Sequence, residues 1–204
     1  MAKATKKPKH VAIAGNIGAG KTTLTEMLSK HYRWIPQFED VDHNPYLADF
    51  YDDMPRWSFN LQIYFLHGRL SQILEIQRGT ETIIQDRTIY EDAHIFAPNL
   101  HEMGLMGKRD FDNYFGFFST IKSMVQPPDL LIYLKASVET LYDRLLYSNS
   151  ERPLIANKNP EEMKEFIAKS LFDRSYYYNQ AQFKISVDGK SSEEIISEIE
   201  TILA

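Results

Sequence analysis

Residues 15–22 read Gly15-Asn16-Ile17-Gly18-Ala19-Gly20-Lys21-Thr22, set between an apolar run from His10 to Ala14 and a stretch of helical spacing from Lys21 to Tyr32. The glycines allow backbone angles closed to other residues, so consecutive N–H groups can curl around an anion while the following helix adds the positive end of its dipole. A chance glycine-rich turn would not fill every fixed position of this pattern with a strand before it and a helix after it. The segment predicts a bound nucleoside triphosphate held by Gly15, Asn16, Ile17, Gly18, Ala19, Gly20, Lys21, Thr22 and Thr23. Lys21 is expected to reach the β- and γ-phosphates and the Thr22 hydroxyl to hold magnesium.

A strand running into such a loop and then a helix starts a parallel α/β arrangement, and the rest of the chain keeps that rhythm. Candidate strands are Val11–Ala14, Ile35–Phe38, Thr82–Gln85, Leu130–Leu134 and Phe183–Val187. Between them, Trp57–Arg78 carries Phe59, Ile63, Phe65, Leu66, Leu70, Ile73, Leu74 and Ile76 at mostly helical spacing, which predicts one long helix with a buried flank. Asp92–Leu105 and Phe111–Val125 read as helices too, and Pro127 with Pro128 ends the second of them. The expectation is a single domain over residues 1–204, with the polar stretch 147–160 as a mobile lid region within it.

Composition narrows the chemistry. At 204 residues and a formal charge of −5, the chain lacks the basic excess of a protein that tracks nucleic-acid backbones. It has no cysteine, hence no disulfide framework and no thiolate nucleophile, and its six histidines show no metal-ligand spacing. No apolar run is long enough to cross a bilayer. Residues 1–9 carry Lys3, Lys6, Lys7 and Lys9 without the apolar segment of a signal peptide, so they read as a solvated arm, and the cytoplasm is the expected compartment.

Ligands of open parallel sheets gather at the carboxyl ends of the strands. After the second candidate strand come Glu39, Asp40, Asp42, Asn44 and Pro45, and after the third Asp86-Arg87-Thr88. Phosphoryl transfer to a hydroxyl needs a cation clamp, a magnesium site and a carboxylate that orients or deprotonates the acceptor. Glu39 fits the last role, Asp86 can assist the metal, and Arg87 can stabilise charge on the group in transfer. Taken singly an Asp-Arg pair is more often a surface ion pair; its place after a strand beside a phosphate loop favours the catalytic role.

Gly15–Thr22, the Glu39 segment, Arg56-Trp57-Ser58-Phe59, Gln62, Arg69, Asp86-Arg87-Thr88 and the stretch Tyr90–Ala97 resemble the deoxynucleoside kinases, in particular the bacterial deoxyadenosine and deoxyguanosine branch, over residues 10–130. The resemblance implies a P-loop kinase fold with a five-stranded parallel sheet flanked by helices, and a homodimer. It also implies ATP-dependent phosphorylation of the 5′-hydroxyl of a deoxynucleoside. By that likeness Glu39 is the base, Asp86 lies near magnesium, and Arg87 steadies the 5′-oxygen and the phosphate. Gln62, Arg69 and Asp92 bond the nucleobase, Phe96 stacks on it, and Tyr51 contacts the sugar 3′-hydroxyl. Gln62 and Arg69 are seven residues apart, two helical turns, and so share a face; an amide that donates and accepts suits a purine edge.

The final third departs from that pattern. Where deoxynucleoside kinases carry an arginine-rich lid, Arg144 is kept, but Ser148 and Ser150 stand in the expected places of two lid arginines. From Leu134 onward Arg152-Pro153-Leu154-Ile155, Asn159-Pro160 and Arg174-Ser175-Tyr176-Tyr177 are similar to shikimate kinases, as in a chimaera joined near Pro128–Leu134. That second likeness puts Arg152 over ATP and the transferring phosphate and gives Arg174 a substrate carboxylate. The segments that choose the substrate are nucleoside-kinase-like, so a purine deoxynucleoside is the expected acceptor. Shikimate, and a nucleotide-binding protein whose lid supports little turnover, are the alternatives.

Overall fold

The computed structural model describes residues 8–38, 43–147 and 158–203. Five strands, β1 (His10–Gly15), β2 (Ile35–Gln37), β3 (Ile83–Asp86), β4 (Leu130–Lys135) and β5 (Phe183–Ser186), form one parallel sheet in the order β2-β3-β1-β4-β5, flanked by helices. Every residue of β1 is buried, which is the environment a continuous apolar run demands and which parallel sheets provide by covering both faces. The strands fall within a residue or two of their sequence-derived bounds. One shift matters: β3 ends on Asp86, so this carboxylate belongs to the strand end itself and Arg87 is the first residue beyond it.

The chain divides into two compact units, one of the residues through Ala12 with Trp34–Leu130, the other of Ile13–Arg33 with Leu131–Ala204. In the first, β2 pairs with β3 in the register Ile35↔Ile83 and Gln37↔Gln85. Its helices are α2 (Leu47–Asp52), α3 (Met54–Arg78), α4 (Ile89–Glu91), α5 (Ala97–Glu102) and α6 (Lys108–Met124). Leu66 and Ile73 of α3, Ile89, Ala93 and Ala97, and Tyr114, Phe118 and Ile121 of α6 form its hydrophobic cluster. The long helix starts three residues before Trp57, because the Asp53 side chain accepts from Arg56 N at 3.1 Å and a proline sits in the first turn, where its missing N–H costs nothing. The helix expected over Asp92–Leu105 begins earlier, at Ile89 in α4, passes through a π-helical turn at Asp92–Phe96 and continues as α5, with the left-handed Gly104 (φ 73°) beyond its end. Helical periodicity cannot register a π turn, since it inserts one residue into an otherwise regular pattern.

In the second unit β4 pairs with β5 in the register Ile132↔Phe183 and Leu134↔Ile185. Its helices are α1 (Lys21–Tyr32), α7 (Val138–Leu146), α8 (Pro160–Tyr178) and α9 (Ser192–Leu203). Local chemistry sets the helix starts. Ser137 caps α7 by accepting from Thr140 N at 3.2 Å, and Asn159 and Glu162 form a reciprocal capping box ahead of Pro160. Asp188 accepts from Ser137 N at 2.9 Å, and that bond holds its carboxyl below the usual range.

Candidate active site

The phosphate loop lies in the second unit. Gly18 and Gly20 hold φ of 80° and 93°, angles that bring a side chain into collision with its own backbone. Gly15 is required for a different reason: a Cβ there would come within 3.1 Å of the Leu134 carbonyl oxygen and 3.2 Å of the Ala19 Cβ. Ala19 N donates to Asn16 O at 3.1 Å, which closes the curl. Lys21 is buried, and its ammonium donates to the Gly15 and Asn16 carbonyls at 2.8 and 3.2 Å. A buried cation must be paired, and here the loop's own oxygens provide for it. Thr22 and Thr23 lie exposed in the first turn of α1.

Three side chains of α8 at a spacing of four brace this loop. Ser170 Oγ and Arg174 Nη1 donate to Asn16 Oδ1 at 3.2 and 2.6 Å, and the Tyr178 hydroxyl donates to Gly15 O at 3.1 Å. Asn16 Oδ1 also accepts from Ile17 N at 3.0 Å, and the residue is 1% exposed. The sequence reading missed this brace, although the i, i+4, i+8 spacing of Ser170, Arg174 and Tyr178 is a signal of a shared helix face. Arg144 donates to Ala19 O at 2.9 Å and to Val187 O at 3.4 Å, so its guanidinium backs the loop through main-chain carbonyls. Arg152, Ser148 and Ser150 lie outside the described residues.

The remaining candidates lie in the first unit. Asp86 is buried at the end of β3, and Arg87 directly after it holds φ 71° with its guanidinium 4.6 Å from the centre of the Phe96 ring. A left-handed arginine costs about 1–3 kcal/mol and persists only where its surroundings impose it. Thr88 opens α4 through a capping box with Glu91, whose carboxylate accepts from Thr88 N at 3.1 Å. The π turn then carries Asp92 and Phe96.

Arg69 and Asp92 meet as a buried pair, Nε to Oδ2 at 3.3 Å, each 2% exposed. Arg69 Nη1 also donates to Gln72 Oε1 at 3.3 Å. Gln62 lies two turns earlier on α3, 4% exposed, and its Oε1 accepts no hydrogen bond from the described residues. Tyr114 is fully buried; burial first and the Asp92 charge second push its phenol well above the ordinary tyrosine range. Tyr51, on α2, is 41% exposed and packs edge-on against Phe50. Glu39, Asp40 and Asp42 lie outside the described residues. Thr22 in the second unit carries a hydroxyl and Asp86 in the first a carboxylate, each an oxygen donor of the kind magnesium takes, and among the described residues no three His, Asp or Glu side chains form a metal cluster. No helix among the described residues is long and apolar enough to cross a membrane.

Comparison with known proteins bears on both units. The deoxynucleoside kinase family model matches residues 11–203. The deoxyadenosine/deoxycytidine kinase of Bacillus subtilis is 39% identical over 158 residues, covering 74% of this chain and 72% of its own. The shikimate kinase of Flavobacterium johnsoniae is 35% identical over 203 residues, covering 96% of this chain and 99% of its own. Among solved structures, deoxyadenosine kinase from M. mycoides with bound dATP superposes with a TM-score of 0.75 at 29% identity, over 95% of this chain and 98% of that one. A phosphate loop on a five-stranded parallel sheet, a family match along nearly the whole length and a close structural likeness agree: the chain belongs to the deoxynucleoside kinase family and is a phosphotransferase.

Proposed function

We propose that this enzyme transfers the γ-phosphoryl group of ATP to the 5′-hydroxyl of a purine deoxynucleoside, deoxyadenosine or deoxyguanosine. The observation that carries the choice of acceptor is Gln62: a buried amide oxygen without a donor among the described residues, on the same helix face as the locked Arg69–Asp92 pair. Leaving a buried acceptor unmet costs about 1–3 kcal/mol, a penalty that the amino group of a base removes. An amide pairing with the N6 and N7 groups of adenine is the familiar form of that match. The name of the B. subtilis relative, which covers deoxyadenosine and the pyrimidine deoxycytidine, supports an amino-bearing base, and the purine choice is supported by the deoxyadenosine kinase from M. mycoides.

In this reading both units serve one kinase domain. The loop N–H groups, Lys21, Thr22 and Thr23 hold the triphosphate of ATP, with Arg144 supporting the loop and Arg152 acting over the γ-phosphate. Thr22 and Asp86 would hold Mg2+, which when bound screens the phosphate charge. Glu39 accepts the 5′-hydroxyl proton as the oxygen attacks the γ-phosphorus and the bond to ADP breaks, and Arg87 steadies the charge on the group in transfer. Tyr51 contacts the sugar, Phe96 stacks on the base, and Gln62, Arg69 and Asp92 bond its edge. The products are ADP, a deoxynucleoside 5′-monophosphate and a proton. A coupled ADP-release assay tests this: deoxyadenosine or deoxyguanosine stimulates release, and Glu39→Gln abolishes the stimulation while ATP still binds.

Shikimate phosphorylation is the second reading, favoured by the F. johnsoniae relative that spans 96% of this chain. The bond from Arg174 Nη1 to Asn16 gives that guanidinium a role on the phosphate loop that needs no substrate carboxylate. The same assay with shikimate as acceptor separates the two.

A further inference from the structure

We infer that Gln72 is a positioning residue for base recognition, holding the Arg69 guanidinium at the angle from which it meets the nucleobase. This rests on the assignment of Arg69 and Asp92 to the base edge made above. Gln72 follows Arg69 by three residues on α3 and is the hub of a polar chain inside the first unit. Its Oε1 accepts from Arg69 Nη1 at 3.3 Å and from Gln85 Nε2 at 2.8 Å, and its Nε2 donates to the Phe38 carbonyl at 3.1 Å. Gln85, 0% exposed on β3, in turn shares a bond of 2.9 Å between its Oε1 and His10 Nε2.

Chemistry fixes the direction of every bond in this chain. A guanidinium only donates, so the Gln72 oxygen must face Arg69; a backbone carbonyl only accepts, so the Gln72 nitrogen must face Phe38. Gln85 then has to donate to Gln72, which turns its oxygen to His10 and requires the proton of that imidazole on Nε2. A single arrangement satisfies all members, and in this partly buried network each bond restrains the next. Arg69 Nε is held on Asp92 and its Nη1 on Gln72, and contacts at two different nitrogens orient the plane of the guanidinium. Removing Gln72 takes away one of the contacts that orient that plane. The loss falls on base affinity and selectivity, because Gln72 touches no group assigned to the phosphates.

The test is Gln72→Met, which keeps the length and removes every polar group, with Gln72→Leu as a second variant should the first fail to fold. Melting temperature and ATP binding by calorimetry establish that the variant is folded. The expected result is a KM for the preferred deoxynucleoside raised about tenfold, the scale of a lost bond to a charged group, with kcat and the KM for ATP within about twofold of wild type. The ratio of kcat/KM between deoxyadenosine and deoxycytidine falls with it. In an Arg69→Ala background the same substitution adds less than about twofold, because the two residues act as one. Unchanged KM and base preference, or effects that multiply with those of Arg69→Ala, overturn the inference while leaving the kinase assignment standing. A wild-type enzyme that phosphorylates deoxynucleosides with no base preference removes the base-site assignment itself, and the role of Gln72 with it.

Discussion

At the scale of the residue, the consequential features are groups whose surroundings leave them little freedom. Lys21 lies against two carbonyls of its own loop, Arg87 sits in a left-handed conformation over Phe96, and Arg69 is tied to Asp92. If Glu39 is the base, Glu39→Gln lowers turnover by about 10²–10⁴-fold, the usual worth of a positioned proton acceptor, and leaves the ATP dissociation constant unchanged by calorimetry. Arg87→Ala lowers turnover by about a thousandfold if the guanidinium steadies the transferring group, read as kcat at saturating substrates. His10 makes a prediction for pH. Burial lowers its pKa from the ordinary 6.5, with the Gln85 bond and the Asp129 charge opposing. The unfolded chain therefore binds a proton that the folded chain refuses. This contribution to stability is complete above pH 6.5 and is lost as pH falls below it, and burial of His94 acts in the same sense. Melting temperature is expected to fall from pH 7.5 to 5, and His10→Gln is expected to flatten part of that slope.

At the scale of the element, most of what the sequence announces is announced by periodicity and by punctuation. The five strands and the helix Lys21–Tyr32 are legible because apolar runs, glycines and prolines bound them sharply. α3 starts three residues before the helical spacing begins, because the capping Asp53 and a first-turn proline look like loop chemistry in sequence. The π turn at Asp92–Phe96 was not legible, since its extra residue breaks the very spacing by which helices are recognised. Of the candidate site, the phosphate loop is contiguous in sequence, so its strand–loop–helix form is legible there. The brace on it from α8 joins residues more than 150 positions apart, and only folding makes that pairing visible. If Ser170, Arg174 and Tyr178 set the loop's shape, Arg174→Ala raises the KM for ATP about tenfold and leaves the KM for the deoxynucleoside alone, as steady-state kinetics can check. Phe118→Ala, in the cluster between α3 and α6, is expected to cost about 3–5 kcal/mol in chemical denaturation.

At the scale of the whole molecule, the family assignment covers residues 11–203, while in our proposal side chains of one unit choose the acceptor and those of the other hold the triphosphate. The homodimer implied by the family likeness is our proposal, and α6 offers a means: Phe117 and Met124 are 61% and 66% exposed on a helix whose opposite flank is packed. Light scattering is expected to give twice the chain mass, and Phe117→Glu to give the monomer. The two kinase likenesses in the sequence leave one decisive question, which molecule receives the phosphate. ADP release from ATP, measured against the four deoxynucleosides and shikimate under the same conditions, answers it directly. Stimulation by deoxyadenosine or deoxyguanosine and none by shikimate is the predicted result; stimulation by shikimate, or ATP binding with no stimulation by any of the five, contradicts it.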